Sequence, residues 1–555
     1  MSEEARDAEL LEKKRALYRE QKELLETFLA NGALTEAQFR KSFGDLTEKN
    51  GHGRLSPQPG KRGSAPDVRK ERTVRYTEYL TAKNGRRRKE EGSFVPEAGQ
   101  KRLQETKCLV IQPTLRYQSI EGFGAALTES SAWLLSRMKE EERAKLIRMF
   151  FGAKNSRYRF VRVPIDSCDF SLSEYQAVED PTEDPDLDSF SLKRDEETII
   201  PMMKEILAAN PEVSVLLSPW SPPKQWKEAP KLSRGEGVLY GFIGAELPKD
   251  GGPTRILGGK LKKEHYKDWA RYLCRYVEEY LERGIPVTML TMQNEEVAVT
   301  PWPSCVWEPE EIKEFSHLLY AQMQEAGLTE RVGLYYWDHN KERVVERSLA
   351  MFDPETRGMF EGIAFHWYSG DHFEAVRQLR ELYPEKKLML SECCESPAPG
   401  RSRLDPVSFF YPFNFYDRRT AIHYAREIIG DFAAGANRFL DWNLVLDRKG
   451  GPRTVKGGCT APAVVDRKGN FKLSAIYSYV RHFSGYIDPG ATVLGLSRYG
   501  DELEALCCEN PDGKKVVVVL NAQAYGIRFH LRMAGEIAHL RLPARSIATF
   551  VIEED

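Results

Sequence analysis

At 555 residues the chain exceeds the roughly 250 to 300 residues at which single cores stop growing, so more than one domain is expected. Hydrophobic residues make up 41% and charged residues 30%, ordinary for a globular chain, and the absence of an apolar run of about 18 residues argues against an integral membrane segment. A formal net charge of -2 supplies no global attraction to nucleic acid or anionic lipid.

The opening MSEEARDAELLEKKRALYREQ lacks the basic and apolar regions of a secretory signal, so a cytoplasmic protein is expected. Residues 1–50 read as a helical hairpin. Leu10, Leu17 and Leu24 with Leu11, Tyr18, Leu25 and Phe28 make one apolar stripe, Asn31-Gly32 ends it, and Thr35 with Gln38 match a capping box for a second helix. Core packing accounts for this stripe better than a lipid surface does. Gly, Pro, Ser and basic residues then mark 51–74 as a linker.

Within 75–114, VRYTEYL and KCLVIQP read as strands without helical partners. The run Arg86-Arg87-Arg88-Lys89 between them is followed by Glu90-Glu91 and lacks interleaved aromatics, so it reads as a solvated hairpin loop rather than a nucleic-acid site. From 115 to 483, short apolar runs at 119–127, 158–165, 213–220, 286–294, 332–340, 362–368, 387–393 and 437–443 alternate with amphipathic stretches such as EHYKDWARYLCRYVEEYLERG. Eight such units are the count of a (β/α)8 barrel, although a doubly wound open sheet gives the same alternation. Beyond 483 the helices stop, and LEALCCEN, KKVVVVLNA, GIRFHLRM and RSIATFVIEE read as strands. The expected fold is therefore α/β: a TIM barrel over 115–483, an all-β sandwich built jointly from 75–114 and 484–555, and the N-terminal hairpin.

Polar residues gather at the ends of the proposed barrel strands, where βα loops build barrel active sites. They are Asp166 and Asp169, Trp220, Asn294-Glu295-Glu296, Trp337-Asp338-His339, His366-Trp367-Tyr368, Glu392, and Asp441-Trp442-Asn443. Carboxylates, amides and aromatics in one place suit a sugar: aromatic faces cover pyranose faces, Asp and Asn bind hydroxyls, and two carboxyl groups roughly 5 to 5.5 Å apart cleave the bond with retention. Glu295 and Glu392, at the ends of the fourth and seventh proposed strands, supply that pair.

The segments EGFGAALTESSAWLL, RFVRVPIDSCDFS, LLSPWSPPKQW, TMQNEE, AFHWYSGD, LMLSECCE and LDWNLVLDRKGGP resemble, in order, the signature segments of glycoside hydrolase family 30, the family of glucosylceramidase. The resemblance implies a retaining β-glycosidase needing no metal or cofactor, with Glu295 as acid/base and Glu392 as nucleophile. It further implies Asn294 on the sugar 2-hydroxyl, Asp169 and Trp220 on other hydroxyls, Trp442 as an aromatic wall, and Arg162 and Tyr368 orienting the nucleophile with His366 beside them. Burial of Glu295 beside a second carboxylate is expected to raise its pKa so that it starts protonated.

One position departs from the family's usual Asn-Glu-Pro, since Glu296 follows Glu295; it is expected to point into solvent. Trp302 and Trp307, in the loop that follows, read equally as shapers of the leaving-group side and as loop anchors. Asp338-His339 reads as hydrogen-bonding rather than metal-ligating. The nine cysteines (108, 168, 274, 305, 393, 394, 459, 507 and 508) lack CxxC spacing, so free thiols are expected, and Cys393-Cys394 reads as small residues packing a strand. The leading expectation is an exo-acting β-glucosidase on glucosyl lipids or short β-glucosides. The alternatives are a β-xylosidase, β-fucosidase or β-1,6-glucanase of the same mechanism and, from another class, a non-catalytic carbohydrate-binding protein. Oligomeric state is not legible.

Overall fold

A computed structural model describes residues 74–82, 85–97, 107–231, 252–395, 413–455 and 457–554. The chain divides into a unit Met1–Glu71 and a unit Arg72–Asp555, and the described residues all belong to the second. The expected 1–50 hairpin, with its capping box, and nearly all of the 51–74 linker lie outside them.

Among the described residues, four strands precede the barrel: β1 (Val74–Thr81), β2 (Arg87–Ser93), the short β3 (Val95–Pro96) and the long β4 (Cys108–Ile120). The barrel strands follow as β5 (Gly122–Ala126), β6 (Phe160–Ile165), β7 (Ser214–Pro219), β8 (Val287–Thr291), β9 (Gly333–Asn340), β10 (Phe360–His366), β11 (Lys387–Glu392) and β12 (Arg438–Asp441). All pair in parallel, and β12 returns to β5 through Arg438 opposite Gly122, which closes the ring and settles the choice between barrel and open sheet. Close approach needs a glycine at one seam: a Cβ on Gly124 would stand 2.1 Å from the Phe160 carbonyl oxygen.

Side chains alternate across a strand, so every second residue faces the barrel axis. Phe160, Leu216, Met289, Tyr335, Ala364, Met389 and Leu440, from seven of the strands, form one apolar plug there. The outward residues pack beneath helices such as Tyr266–Glu282, whose Tyr272, Tyr276 and Tyr280 recur at helical spacing on one buried face. Their hydroxyls are taken by two buried carboxylates: Tyr272 donates to Asp166 at 2.9 Å, and Tyr276 and Tyr280 donate to Asp195 at 2.6 Å.

After β12 comes a small sheet of β13 (Val445–Asp447), β14 (Ala463–Val465) and β15 (Phe471–Leu473), which the apolar pattern did not reveal. The helix Ala475–Ser484 leads to β16 (Ala491–Arg498), β17 (Leu503–Glu509), β18 (Lys515–Asn521), β19 (Ile527–Met533), β20 (Glu536–Leu542) and β21 (Ser546–Glu554). These six join β1–β4 in the order β2-β1-β21-β18-β17-β16-β4-β19-β20-β3. Register shifts between β16 and β4 mark the bend of this sheet, since a bulge increases twist. Its inner face buries Val517, Val519, Phe550 and Ile552 with Phe529 and Leu531. On the opposite face, Val516, Val518, Leu520 and Ile547 belong to the barrel's own core. The unbroken apolar run of β18 follows from burial on both faces.

One expectation fails here. Arg87, Arg88 and Lys89 are not in a loop but in β2, which pairs with β1 along its whole length. A row of exposed charges on the outermost strand blunts an edge that would otherwise recruit another chain, and that edge role accounts for the composition.

Barrel and sandwich meet at His482, whose ring nitrogens lie 2.9 Å from Thr549 Oγ1 and 2.8 Å from Thr81 Oγ1. Burial pushes its pKa down to about 3. The unfolded chain protonates this group below roughly pH 6.5 while the folded chain resists until about 3, so the contribution is full above 6.5 and is lost as pH falls, at up to about 1.4 kcal/mol per pH unit. Thermal unfolding followed between pH 6.5 and 5 should therefore fall less steeply in His482→Gln than in the wild type; equal slopes would remove His482 from the acid sensitivity.

Candidate active site

Two residues beyond the apolar plug, on the same inward phase of each strand, the side chains turn polar or aromatic: Arg162, Ser218, Thr291, His366, Ser391 and Trp442. Strand β9 breaks the phase. Trp337 and Asp338 both have left-handed backbones, with φ of 75° and 49°, and the pairing to β10 steps from Trp337 to His339, leaving Asp338 as the extra residue of a bulge. The bulge turns Asp338 inward beside Arg162, Thr291, His366 and Ser391. Glu295 (φ 52°), beyond β8, and Asn443 (φ 65°), beyond β12, adopt the same costly conformation past other strand ends.

Arg162 is fully buried and is the hub of the site. Its guanidinium donates to Glu392 Oε2 at 2.5 Å, Asn294 Oδ1 at 2.8 Å, Asp338 Oδ2 at 2.7 Å and Ser218 Oγ at 3.1 Å. Asp338 also accepts from Thr291 Oγ1 at 2.9 Å and Ser391 Oγ at 2.5 Å and lies 3.0 Å from His366 Nε2; Arg162 and His366 together hold its pKa far below the ordinary carboxylate range, against its burial. Both oxygens of Glu392 are thereby spoken for, Oε2 by Arg162 and Oε1 by the Tyr368 hydroxyl at 2.8 Å.

Glu295 is held more loosely. Its Oε1 lies 3.4 Å from His366 Nδ1 and 3.6 Å from His339 Nδ1. The electrostatics reverse the expectation of a raised pKa: burial does favour the protonated form, but His366, His339 and Arg162 outweigh it and hold Glu295 below its ordinary value. His366 is conversely raised to about 9, against its own burial, by Glu392, Asp338 and Glu295. Near neutral pH the proton of this coupled pair rests on the imidazole, one hydrogen bond from Glu295.

Trp220 and Trp442 stack at 5.3 Å between ring centroids, and the Arg162 guanidinium lies over both, at 4.8 and 5.5 Å. Phe170 meets Trp442 edge-on. Asp169 accepts from Arg453 at 2.9 Å; burial, with Glu392 and Glu295 nearby, raises it to about 7 although Arg453 opposes this.

The structure thus gathers Arg162, Asp169, Trp220, Asn294, Glu295, His366, Tyr368, Glu392 and Trp442 at one end of the barrel. Asp166 belongs instead to the tyrosine network beneath helix Tyr266–Glu282, and Asp441 bonds Tyr424 at 2.7 Å. Trp367 stacks on His423. The two loop tryptophans part company: Trp307 is buried against Phe315 and anchors the loop, whereas Trp302 packs beside the Trp220–Trp442 pair and lies 5.7 Å from the Arg453 guanidinium. Asp338 and His339 were legible only as polar, hydrogen-bonding residues at a strand end, and the central place of Asp338 was not anticipated, nor were Ser391 and Arg453. Glu295, His339 and His366 also bring three ligand-type atoms within 4.8 Å of one another, a set able to take a metal ion in place of the His366 proton.

Residues 120–487 match the glycosyl hydrolase family 30 TIM-barrel domain, and 490–550 match the family 30 β-sandwich domain. The chain belongs to glycosyl hydrolase family 30. Among curated relatives, lysosomal acid glucosylceramidase of Mus musculus is 28% identical over 426 residues, covering 74% of this chain and 77% of the relative. An endo-1,6-β-D-glucanase of Aspergillus fumigatus is 24% identical over 450 residues, covering 78% and 85%. Among solved structures, SrfJ from Salmonella typhimurium superposes with a TM-score of 0.75 at 30% identity, covering 86% of this chain and 99% of that one.

Against the family's Asn-Glu-Pro, this member's Glu296 does not reach solvent as expected. It is fully buried, and its Oε1 collects Arg347 Nη2 at 2.5 Å, Arg347 Nε at 2.9 Å and the Tyr336 hydroxyl at 3.0 Å, while Oε2 has no partner among the described residues. Burial raises it to about 7, with Arg347 opposing. The pair pins the loop just behind Glu295, where the Trp307 amide also bonds the Glu296 carbonyl at 2.8 Å. Arg347→Ala, which strands the carboxyl, should destabilise the barrel by about 3 kcal/mol or more. The loss should grow from pH 6 to pH 8 as the unpaired group resists ionisation; a pH-independent change in denaturant midpoint would contradict this role.

Proposed function

We infer that this family 30 glycosidase hydrolyses β-glucosides with retention, Glu392 attacking the anomeric carbon and Glu295 serving the leaving oxygen. The observation that carries the assignment is the asymmetry of the two carboxylates. Glu392 has both oxygens fixed by Arg162 and Tyr368, as a nucleophile held on one line of approach requires. Glu295 sits in long contact with two imidazoles, as a group that exchanges protons requires.

In the first step Glu295 receives the His366 proton as a bound aglycone excludes water and disfavours its ionised form, then passes it to the departing oxygen. A covalent glycosyl–Glu392 forms and the aglycone leaves as an alcohol. In the second step Glu295 takes a proton from water, which attacks the same carbon and restores Glu392. The stacked tryptophans wall the sugar, and Asn294 and Asp169 face its hydroxyls. A glucosyl lipid or short β-glucoside is favoured by the similarity to lysosomal acid glucosylceramidase. The similarity to endo-1,6-β-D-glucanase favours a second reading, a β-1,6-glucan. Rates on glucosylceramide, aryl β-glucosides and β-1,6-glucan separate the two.

Glu392→Gln should lose several orders of magnitude in turnover with its fold intact. Glu295→Ala should be far more damaged on alkyl than on dinitrophenyl β-glucosides, and azide should rescue it as the β-glycosyl azide, read by proton NMR; an α-azide would overturn the roles. His366→Gln should move the alkaline limb of kcat/KM to lower pH, because the proton reserve that persists to about 9 is then gone. An unmoved limb would exclude His366 as that reserve.

A further inference from the structure

Beside the two carboxylates lies a pair of thiols that the reaction above does not use. Cys394 Sγ and Cys459 Sγ are 2.7 Å apart, closer than unbonded sulfurs rest and not far beyond the roughly 2.05 Å of a disulfide. Cys394 is buried two residues after Glu392, and Cys459 is half-buried in the segment between β13 and β14. Their neighbours hold the two chain segments side by side: the Thr460 amide donates to the Glu395 carbonyl at 2.8 Å, and the Glu395 amide donates to Thr460 Oγ1 at 3.3 Å. The approach of the sulfurs is thus built into the backbone rather than left to one rotamer.

We propose that Cys394 and Cys459 form an oxidative modification site, closing to a disulfide with peroxide as oxidant and lowering turnover at Glu392. The half-buried Cys459 sulfur attacks peroxide, breaking the O–O bond to give a sulfenic acid and one water. The Cys394 sulfur then displaces the sulfenic oxygen, forming the S–S bond and releasing a second water. Two electrons pass from the sulfurs to the peroxide, and both thiol protons leave in the waters. Burial, reinforced by Cys459, keeps the Cys394 thiol pKa high, which suits the second role better than the first.

The consequence for the site follows from contacts. The Tyr368 hydroxyl lies 3.6 Å from Cys394 Sγ and donates to Glu392 Oε1 at 2.8 Å, so drawing that sulfur toward Cys459 disturbs the group that orients the carboxylate. Cys394 belongs to the buried cluster that holds Trp220 and Trp442, and Cys459 packs against that cluster, as Trp302 does. The segment carrying Cys459 holds Arg453, the partner of Asp169, so closure ties the strand bearing Glu392 to the loop bearing Arg453.

The test treats the full chain with hydrogen peroxide, blocks remaining thiols, and digests it with trypsin without reduction. A cross-link between the peptides 388–401 and 457–467 is expected, with Cys393 still alkylated, and turnover on an aryl β-glucoside should fall roughly tenfold, in keeping with the up to about 100-fold cost of misplacing a reacting group by 1 Å. Dithiothreitol should restore it. Cys459→Ser should keep the untreated rate and lose both the cross-link and the reversible inhibition. Phenylarsine oxide, which bridges close dithiols, should bind the reduced wild type and not Cys459→Ser. Absence of the cross-link overturns the modification site whatever the reaction is. A cross-link with undiminished turnover overturns its coupling to Tyr368 and Glu392, the one arm that rests on the proposed function, and reversible inhibition persisting in Cys459→Ser overturns the pair as its cause.

Discussion

A guanidinium with no access to water must be neutralised and hydrogen-bonded on every side, and the polar layer of this barrel is organised around meeting that demand for Arg162. Four strands besides its own supply partners: Ser218 from β7, Asp338 from β9, Glu392 from β11, and Asn294 from the end of β8. Removing Ser218 or Asn294 leaves a buried N–H without its acceptor, and removing either carboxylate takes away one of the two that neutralise the guanidinium, so each partner is needed. Trp220 and Trp442 complete it by presenting ring faces to the same cation. The stacked tryptophan pair and the cation that fixes a carboxylate are therefore one construction.

Around this fixed centre the two glutamates experience different fields. Glu392 shares the arginine with Asp338, whereas Glu295 shares a proton with His366, itself braced by Asp338 on its other nitrogen. A chain runs from Glu295 through His366, Asp338 and Arg162 to Glu392, so a change of charge at one end is felt at the other. This is why Glu295 does not hold its own proton in the free site: the imidazole, stabilised by three surrounding carboxylates, holds it more strongly than a buried carboxyl flanked by cations does.

The sandwich contributes through packing. Because Val516, Val518 and Leu520 of β18 enter the barrel core while Val517 and Val519 enter the sandwich core, the two share a strand layer and neither can shift without opening an apolar interface. His482 adds a polar fastening to β1 and β21 that requires a neutral ring. Strands from both ends of the described chain are needed for this layer, which ties β1 to the barrel's support.

Local periodicity is what a sequence displays directly, and here it located the eight barrel strands to within a few residues, as with 387–393 against Lys387–Glu392. It also placed Glu295, Glu392, Trp220 and Trp442 at strand ends, because alternation and strand length are properties of contiguous residues. Three features were decided only by tertiary structure. Closure of the sheet depended on β12 meeting β5, a contact between segments hundreds of residues apart. Asp338 became central only because a bulge in β9 turned it inward, and strict alternation places Trp337 there instead. Glu296 looked like a solvated neighbour until folding brought Arg347, from a later helix, and Tyr336, from β9, onto its carboxyl. Charge states followed the same rule: the pKa of Glu295 was misjudged from residue types because it is set by the distances to His366 and His339, which only the folded chain defines.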